Sequence, residues 1–259
     1  MADIPLFDSL THPMPNGDWL EPRYAGRSRS DDLVDAMRAN QVIGALAVGM
    51  GESVGGYREA EYAGWVSGAL PGALPIAWWE PGSSDPDRLR ALGYRGLKIH
   101  PRRCGIDYRH PVLPGLIQDA DMPVLLCTYS YEKGRSRDGR RLDDLLALLD
   151  ECDDAPIVLT HGGVLHCLEW AEAIRPYPNV LLDLSFTMTR FAGSSLDCDL
   201  RYLFAQFDRR LCVGSDHPEL SLDDFRARFD TLSNGIEEEK AHNIGHRNLE
   251  RLFGLEEQE

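Results

Sequence analysis

Residues 156–186 read PIVLTHGGVLHCLEWAEAIRPYPNVLLDLSF, and this stretch decides the fold. Two short apolar runs, at 156–160 and 179–186, flank a segment at 164–174 whose apolar residues recur every three or four positions. Near-continuous Val, Leu and Ile runs are typical of strands that are buried on both faces, and the spacing between them is typical of a helix. The stretch therefore predicts a strand, a helix and a second strand parallel to the first.

The same alternation continues along the whole chain and predicts a (β/α)8 barrel of the TIM type. Eight strands alternating with helices in about 250 residues are typical of that fold. An open doubly wound sheet would need a glycine-rich phosphate-binding turn after the first strand, and residues 11–19 (THPMPNGDW) do not supply one. Because no repeat or linker divides the chain, we expect one domain over residues 1–259. The six further strand runs are 5–11, 42–49, 74–79, 95–100, 122–128 and 211–216.

Composition excludes several classes of protein. The chain has 42 acidic and 27 basic residues and a formal charge of −15, so it would repel nucleic-acid phosphates. It contains no run of about 18 apolar residues and no signal-peptide pattern, which predicts no membrane span. Its six cysteines form no CxxC pair and are typical of reduced thiols in a cytoplasmic protein. An acidic barrel with exposed helices is compatible with a homodimer.

Polar residues follow most of the predicted strands. Reactive groups of TIM barrels stand at the carboxyl ends of the strands, so these side chains are expected to meet at one mouth. Because side chains alternate along a strand, Asp8, Leu10 and His12 are predicted to share one face. A buried Lys98 would need a partner, for which Asp8 or Asp216 is available. In strand order the candidates are Asp8, His12, Lys98, His100, Cys127, His161, Ser185, Asp216 and His217.

The segment 98–141 has the opposite charge to the rest of the chain. It holds nine cations against five anions, a net charge of +4, and covers the loops after the fourth and fifth strands. Arginine forks suit carboxylates and phosphates, which favours a small anionic substrate, although the far end could be a solvated loop. The substrate-binding candidates are Lys98, His100, Arg102, Arg103 and Arg109.

Seven motifs follow one another along the chain: FDSLTHP, GLKIHPR, MPVLLCT, VLTHGG, NVLLDLS, VGSDHP and HRNLERLFGL. In this order they resemble the amidohydrolase superfamily. The resemblance is closest to the amidohydrolase-related branch, which contains aminocarboxymuconate-semialdehyde decarboxylase and the pyrone-dicarboxylate lactonases, and it spans nearly the whole chain. It implies a (β/α)8 barrel with enzymatic activity. It also implies that His161 and Asp216 are the strand-six histidine and strand-eight aspartate of the family site.

Two positions depart from the pattern of that branch and indicate a degraded metal site. The first strand usually ends in His-x-His and the fifth in His, but this chain has Leu10-Thr11-His12 and Cys127 at those positions. Leucine cannot coordinate a metal, whereas a thiolate can. His12, Cys127 and Asp216, with water in the fourth position, would be an admissible zinc site. Alternatively Cys127 is a small apolar residue of the core and no metal is bound.

Three functions remain open at this level. The first is a hydrolase of an ester, lactone or amide of a small carboxylated molecule, without metal. Asp216 would be the general base, His12 and His161 would orient or polarise the carbonyl, and Lys98 or an arginine would hold the carboxylate. The second is a metal-dependent decarboxylase or hydrolase with the Cys-containing zinc site. The third is a non-catalytic barrel that binds a small anion, against which a cluster of ionisable groups at one mouth argues mildly.

Overall fold

The computed structural model is an eight-stranded parallel sheet in sequence order, which confirms the predicted barrel. It describes residues 4–24, 26–27, 29–51, 57–83, 85–131, 133, 138–152 and 154–256. The strands are β1 (Leu6–Thr11), β2 (Val42–Val48), β3 (Ala73–Trp79), β4 (Gly96–Ile99), β5 (Val124–Cys127), β6 (Ile157–Thr160), β7 (Val180–Asp183) and β8 (Leu211–Cys212).

Backbone hydrogen bonds between β1 and the segment that follows β8 close the barrel. Ser9 N–H donates to Val213 O over 3.0 Å, and Asp216 N–H donates to Leu10 O over 2.8 Å. His12 N–H donates to the carbonyl of His217, also over 2.8 Å. The carboxyl ends of the first and last strands are therefore fixed against each other, which sets the positions of His12 and Asp216.

Helices follow the strands and cover the outside of the barrel, as the spacing of apolar residues predicts. They bury apolar side chains against the sheet. They are α1 (Ser30–Ala39), α2 (Glu59–Ala69), α3 (Pro86–Ala91), α4 (Pro101–Cys104), α5 (Leu113–Asp119), α6 (Leu142–Glu151), α7 (Cys167–Ala173), α8 (Thr187–Arg190), α9 (Leu196–Gln206), α10 (Leu222–Ser233), α11 (Glu238–His242) and α12 (Asn248–Leu252). A π-helix over Asn243–Arg247 joins the last two, and 3-10 turns lie at Pro22–Tyr24, Val164–His166 and Asp208–Arg210.

Two layers of apolar side chains stabilise the fold. One lies between the sheet and the helices and includes Trp79, while the other fills the barrel and has Trp78 packed against it. The two neighbouring tryptophans therefore face opposite sides of β3, as strand alternation requires. Phe253, just beyond α12, packs against the interior near Gly96, which begins β4. The last helix therefore lies at the amino ends of the strands and leaves the opposite mouth open.

Two local predictions were wrong, for reasons of backbone geometry. The pairing of β1 with β2 is irregular between Asp8 and Thr11, so Asp8, Leu10 and His12 do not share one face. Leu10 packs in the barrel interior, whereas the Asp8 carboxylate accepts the backbone N–H groups of Leu10 and Ser215. The eighth strand ends at Cys212 rather than at residue 216.

Gly214 explains why this last segment follows its own path. A Cβ at Gly214 would lie 2.4 Å from Ser9 Oγ and 2.8 Å from Leu10 N, so only glycine allows the close approach to β1. Within the described residues no helix is long and apolar enough to cross a membrane. All six cysteines are free.

Candidate active site

A cavity of about 270 Å3 opens among the carboxyl ends of the strands. His12 and Asp216 stand at the same end of the barrel, as the sequence requires of a common site. Cys127, Asp8 and Arg109 are not among the residues that line this cavity. Seven predicted site residues do line it: His12, Lys98, His100, Arg102, Arg103, His161 and Asp216.

His12 is held as a neutral imidazole that faces Asp216. Its Nδ1 lies 3.2 Å from the carbonyl oxygen of Val48, and a carbonyl can only accept, so Nδ1 carries the proton. The other nitrogen, Nε2, lies 3.6 Å from Asp216 Oδ1 and presents a lone pair. Burial lowers the pKa of His12 to about 3, and the neighbouring Lys98 acts in the same direction. The ring is therefore an acceptor across the whole physiological range.

His161 is oriented in the same way from the far side of the cavity. Its Nδ1 lies 3.3 Å from the carbonyl oxygen of Ser185, which again places the proton on Nδ1. Burial and the nearby Lys98 hold its pKa well below the usual range. The Nε2 atom of His161 is therefore unprotonated and can accept a hydrogen bond. His12 and His161 thus both present an acceptor in this cavity.

The Asp216 carboxyl is a weak acid in this environment. Burial raises its pKa to about 8, and the neighbouring carboxylate of Glu219 acts in the same direction. Lys98 opposes the shift. Glu219 lines the same cavity, and burial raises its pKa as well. Asp216 consequently holds its proton at neutral pH and becomes a strong carboxylate base just above it.

Lys98 lines the cavity, and Cys127 lies near it, outside the cavity lining. The Lys98 amine donates to Thr160 Oγ1 over 2.5 Å, and burial lowers its pKa. The Sγ of Cys127 lies 3.4 Å from His100 Nε2, and burial raises the pKa of this thiol. Neither Asp8 nor Asp216 forms an ion pair with Lys98, whose hydrogen-bond partner within the described part of the chain is Thr160.

A buried carboxyl below the mouth ties three strands together. Asp183 Oδ1 accepts from Ser9 Oγ over 2.5 Å and from Ser185 N over 2.8 Å. Its Oδ2 accepts from the hydroxyl of Ser185 and from His161 N. Ser185, a candidate from the sequence, therefore supports Asp183 and His161 from beneath rather than lining the cavity.

The predicted arginines divide into two groups. Arg102 and Arg103 line the cavity, and the guanidinium carbon of Arg102 lies 5.1 Å from the centre of the Tyr129 ring. Arg102 Nε is buried without a hydrogen-bond partner among the described residues. Arg109 lies away from the cavity and pairs with three carboxylates, at 3.1 Å from Asp138, 3.7 Å from Asp144 and 3.9 Å from Asp107. Arg135 and Arg137 of the basic segment lie outside the described residues.

Three residues of the cavity wall have a left-handed backbone. The φ angles are 69° at His161, 61° at Phe186 and 56° at Asp216, a region that side chains other than glycine rarely adopt. Such residues cost about 1–3 kcal/mol each and cluster at functional sites. The surrounding hydrogen bonds must offset this cost, which supports a functional reason for the position of these side chains.

Sequence reasoning missed an aromatic wall. The Tyr129 ring lies edge-on to His161 at 6.2 Å and to Phe186 at 5.7 Å between ring centres. Trp19 and Tyr131 also line the cavity. Tyr129 and Tyr131 closely follow the predicted strand run 122–128, and Phe186 is the last residue of the run 179–186, so their position in the chain was the available signal. His217, a candidate from the sequence, does not line the cavity, and its Nε2 lies 2.8 Å from the carbonyl oxygen of Arg27.

The family relationship follows from comparison with known proteins. A sequence profile described as amidohydrolase matches residues 7–255. The chain belongs to the amidohydrolase family. This confirms the resemblance deduced from the motifs. No curated protein matches the chain.

Solved structures share the fold of this amidohydrolase at low sequence identity. An uncharacterised TIM-barrel protein of Bordetella bronchiseptica has 18% identity and a TM-score of 0.76, over 96% of this chain and 98% of that one. A candidate 2-pyrone-4,6-dicarboxylic acid hydrolase of Pseudomonas putida has 18% identity and a TM-score of 0.69, over 98% and 99%. The 5-carboxyvanillate decarboxylase of Sphingomonas paucimobilis has 14% identity and a TM-score of 0.70, over 97% and 99%.

The resemblance to the superfamily suggested a zinc ion held by His12, Cys127 and Asp216, but these side chains do not fit such a site. Leu10 occupies a ligand position with an apolar side chain, and the Cys127 thiol is engaged with His100 outside the cavity lining. Across the described ranges no three His, Cys, Asp or Glu side chains are grouped to hold a metal ion. Of the three candidate ligands, His12 and Asp216 line the cavity and Cys127 does not.

Proposed function

We propose that this amidohydrolase hydrolyses an ester, lactone or amide of a small carboxylated molecule, with Asp216 as general base and without a metal. The observation that carries the proposal is the pairing of Asp216 with His12 Nε2, 3.6 Å apart, in a cavity rimmed by Arg102 and Arg103. A general base works best when its pKa lies near the working pH, and burial raises the pKa of Asp216 to about 8.

The chemistry follows from the protonation states. The Asp216 carboxylate takes a proton from water as the water oxygen attacks the carbonyl carbon, and it later returns that proton to the leaving oxygen or nitrogen. His12 and His161 carry their protons on Nδ1, so their Nε2 atoms are acceptors, and one of them takes the hydrogen bond of the second O–H group of the water and orients it. They cannot donate to the carbonyl, so orientation of water rather than polarisation is their role.

A carboxylated substrate is supported by the charge of the wall. The solved structures with the same fold include proteins named for 2-pyrone-4,6-dicarboxylic acid and for 5-carboxyvanillate, which are both carboxylated. Arg102 and Arg103 present forks that suit a carboxylate, whereas the lowered pKa of Lys98 weakens its use as a cation. The sequence analysis left Lys98 and the arginines as alternatives for binding the carboxylate. Of these, we assign the role to Arg102 and Arg103.

A variant series tests the carboxylate-binding role. Arg102→Ala or Arg103→Ala is expected to raise KM for a carboxylated substrate by about tenfold or more, equivalent to about 1.4 kcal/mol. Arg109→Ala is the matched control, because Arg109 is paired with carboxylates outside the cavity, and its KM should be unchanged. If all three variants keep the wild-type KM, the basic rim is only a solvated surface.

A second test concerns the thiol. Cys127→Ala is expected to cost about 1 kcal/mol of stability at most and to leave turnover unchanged, because the buried thiol only fills space. Activity should also survive chelation. Loss of activity on chelation, recovery with zinc and an inactive Cys127→Ala variant would instead establish the metal-dependent hydrolase or decarboxylase. Tight carboxylate binding with no turnover across an ester, lactone and amide screen would establish a binding protein.

A further inference from the structure

Lys98 differs from the other lysines of the chain. The sequence has 27 basic residues, of which Lys98, Lys133 and Lys240 are the only lysines. Lys98 is 1% exposed and lines the cavity, whereas Lys133 is exposed and the Lys240 side chain is 28% exposed. A guanidinium group keeps its proton in proteins, but an amine can lose it and become a nucleophile. The site therefore holds the single buried lysine of an arginine-rich chain.

The surroundings of the Lys98 amine favour its neutral form. A charged ammonium has three N–H donors, yet Thr160 Oγ1 is the acceptor that the described residues offer it. Cys127, Asp183 and Asp216 act on it electrostatically, and none of them forms an ion pair with it. Burial outweighs these groups and lowers the pKa of the amine. A neutral amine keeps a lone pair that can attack a carbonyl carbon.

We propose that Lys98 forms a covalent imine with small aldehydes or ketones that carry a carboxylate. The cavity brings the amine, the Asp216 carboxyl and the Arg102 and Arg103 guanidinium groups together around one space. The arginines recognise the carboxylate, Lys98 supplies the nucleophile and Asp216 supplies the proton. This activity is separate from hydrolysis and does not depend on it, because no water attacks the ligand.

The step balances with the groups in the cavity. The Nζ lone pair forms a C–N bond while the C=O π pair moves to oxygen, which takes the Asp216 proton. The surplus proton on nitrogen passes to the Asp216 carboxylate. That proton then leaves with the hydroxyl as water, the nitrogen lone pair closes the C=N bond, and loss of the last N–H proton to Asp216 leaves the neutral imine. Amine and carbonyl thus give imine and water, with no oxidant or reductant.

Reductive trapping tests the proposal. The full-length protein is incubated at pH 7 with glyoxylate and sodium cyanoborohydride, which supplies hydride to the C=N bond. The expected product carries one adduct on Lys98, located by peptide mapping and counted apart from label on the amino terminus, with a mass increase equal to glyoxylic acid less one oxygen atom. Lys98 should react more than about tenfold faster than Lys133 and Lys240, since an ordinary lysine is about one part in 10³ neutral at pH 7.

Variants separate recognition from chance reactivity. Lys98→Arg should show only the slow background labelling of Lys133, Lys240 and the amino terminus, with circular dichroism showing that it is folded. Arg102→Ala and Arg103→Ala should slow the labelling of Lys98 by glyoxylate by about tenfold but leave labelling by acetaldehyde, which has no carboxylate, unchanged. Equal labelling of the three lysines, or an unlabelled Lys98 in the folded protein, would overturn the proposal.

Discussion

Asp216→Asn is expected to lower turnover of the hydrolysed substrate by at least about 10²–10⁴-fold while the barrel stays folded. The amide keeps the shape of the carboxyl but cannot take the proton of the attacking water. The measurement is kcat at pH 9, where the wild-type carboxyl, with its pKa raised to about 8, is ionised. Full activity in the variant would exclude Asp216 as the base.

Glu219→Gln is the matched control for this substitution. It removes one negative charge from the same cavity but leaves Asp216 and His12 in place. Because the Glu219 carboxylate raises the pKa of Asp216, its loss should lower that pKa. The variant should therefore keep its kcat and reach half-maximal activity at a lower pH than the wild type.

The thermal stability of the Asp216→Asn variant separates a lost base from a damaged fold. The folded pKa of Asp216, about 8, exceeds the ordinary value of 3.8, so the unfolded chain binds fewer protons between these two values. Stability therefore falls as pH rises through this window and is lowest once the buried carboxyl is ionised. The neutral amide does not ionise, so the variant should melt above the wild type at pH 9. A lower Tm at pH 9 would contradict the buried acid.

Asp183→Ala is expected to lower the free energy of unfolding by about 3 kcal/mol or more. The carboxyl accepts from Ser9, from His161 N and from both donors of Ser185, so its removal leaves buried donors on three strands without an acceptor. For a chain of this size, Tm should fall by roughly 6–12 °C. Differential scanning calorimetry measures this change.

Two milder variants calibrate that loss. Ser9→Ala removes one donor and leaves the carboxyl with its other partners, so it should cost about 1 kcal/mol. Asp183→Asn keeps one carbonyl acceptor and should lie between the two. If Asp183→Ala is no worse than Ser9→Ala, the carboxyl does not join the strands as described.

The fold and the centre of the site could be predicted because both follow from short-range patterns. Buried runs separated by helical spacing give the strands, and the position of His12, Lys98, His161 and Asp216 at strand ends brings them to one mouth. The family motifs additionally imply that His161 and Asp216 belong to the same site. The positions of these residues in the barrel depend only on where each strand ends, which the sequence pattern indicates.

What could not be predicted depends on distant contacts and local irregularity. Arg109 resembled a substrate ligand, but its ion pair with Asp138 joins positions 29 residues apart, which charge counting does not reveal. The pairing at the end of β1 is irregular, so Asp8 and His12 do not share one face. The Asp8 carboxylate instead accepts the backbone N–H of Ser215, in the segment that follows β8. Tyr129 and Phe186 come from loops whose conformation no periodic pattern describes.

The pH dependence of kcat/KM for a carboxylated ester or lactone, measured on enzyme treated with a chelator, tests the central claim most directly. The profile should rise with pH and reach half its maximum near the pKa of Asp216, about 8, because only the ionised carboxyl accepts the proton. Activity that is already maximal at pH 5, or that returns only when zinc is restored, would contradict a buried carboxyl acting as the base without a metal.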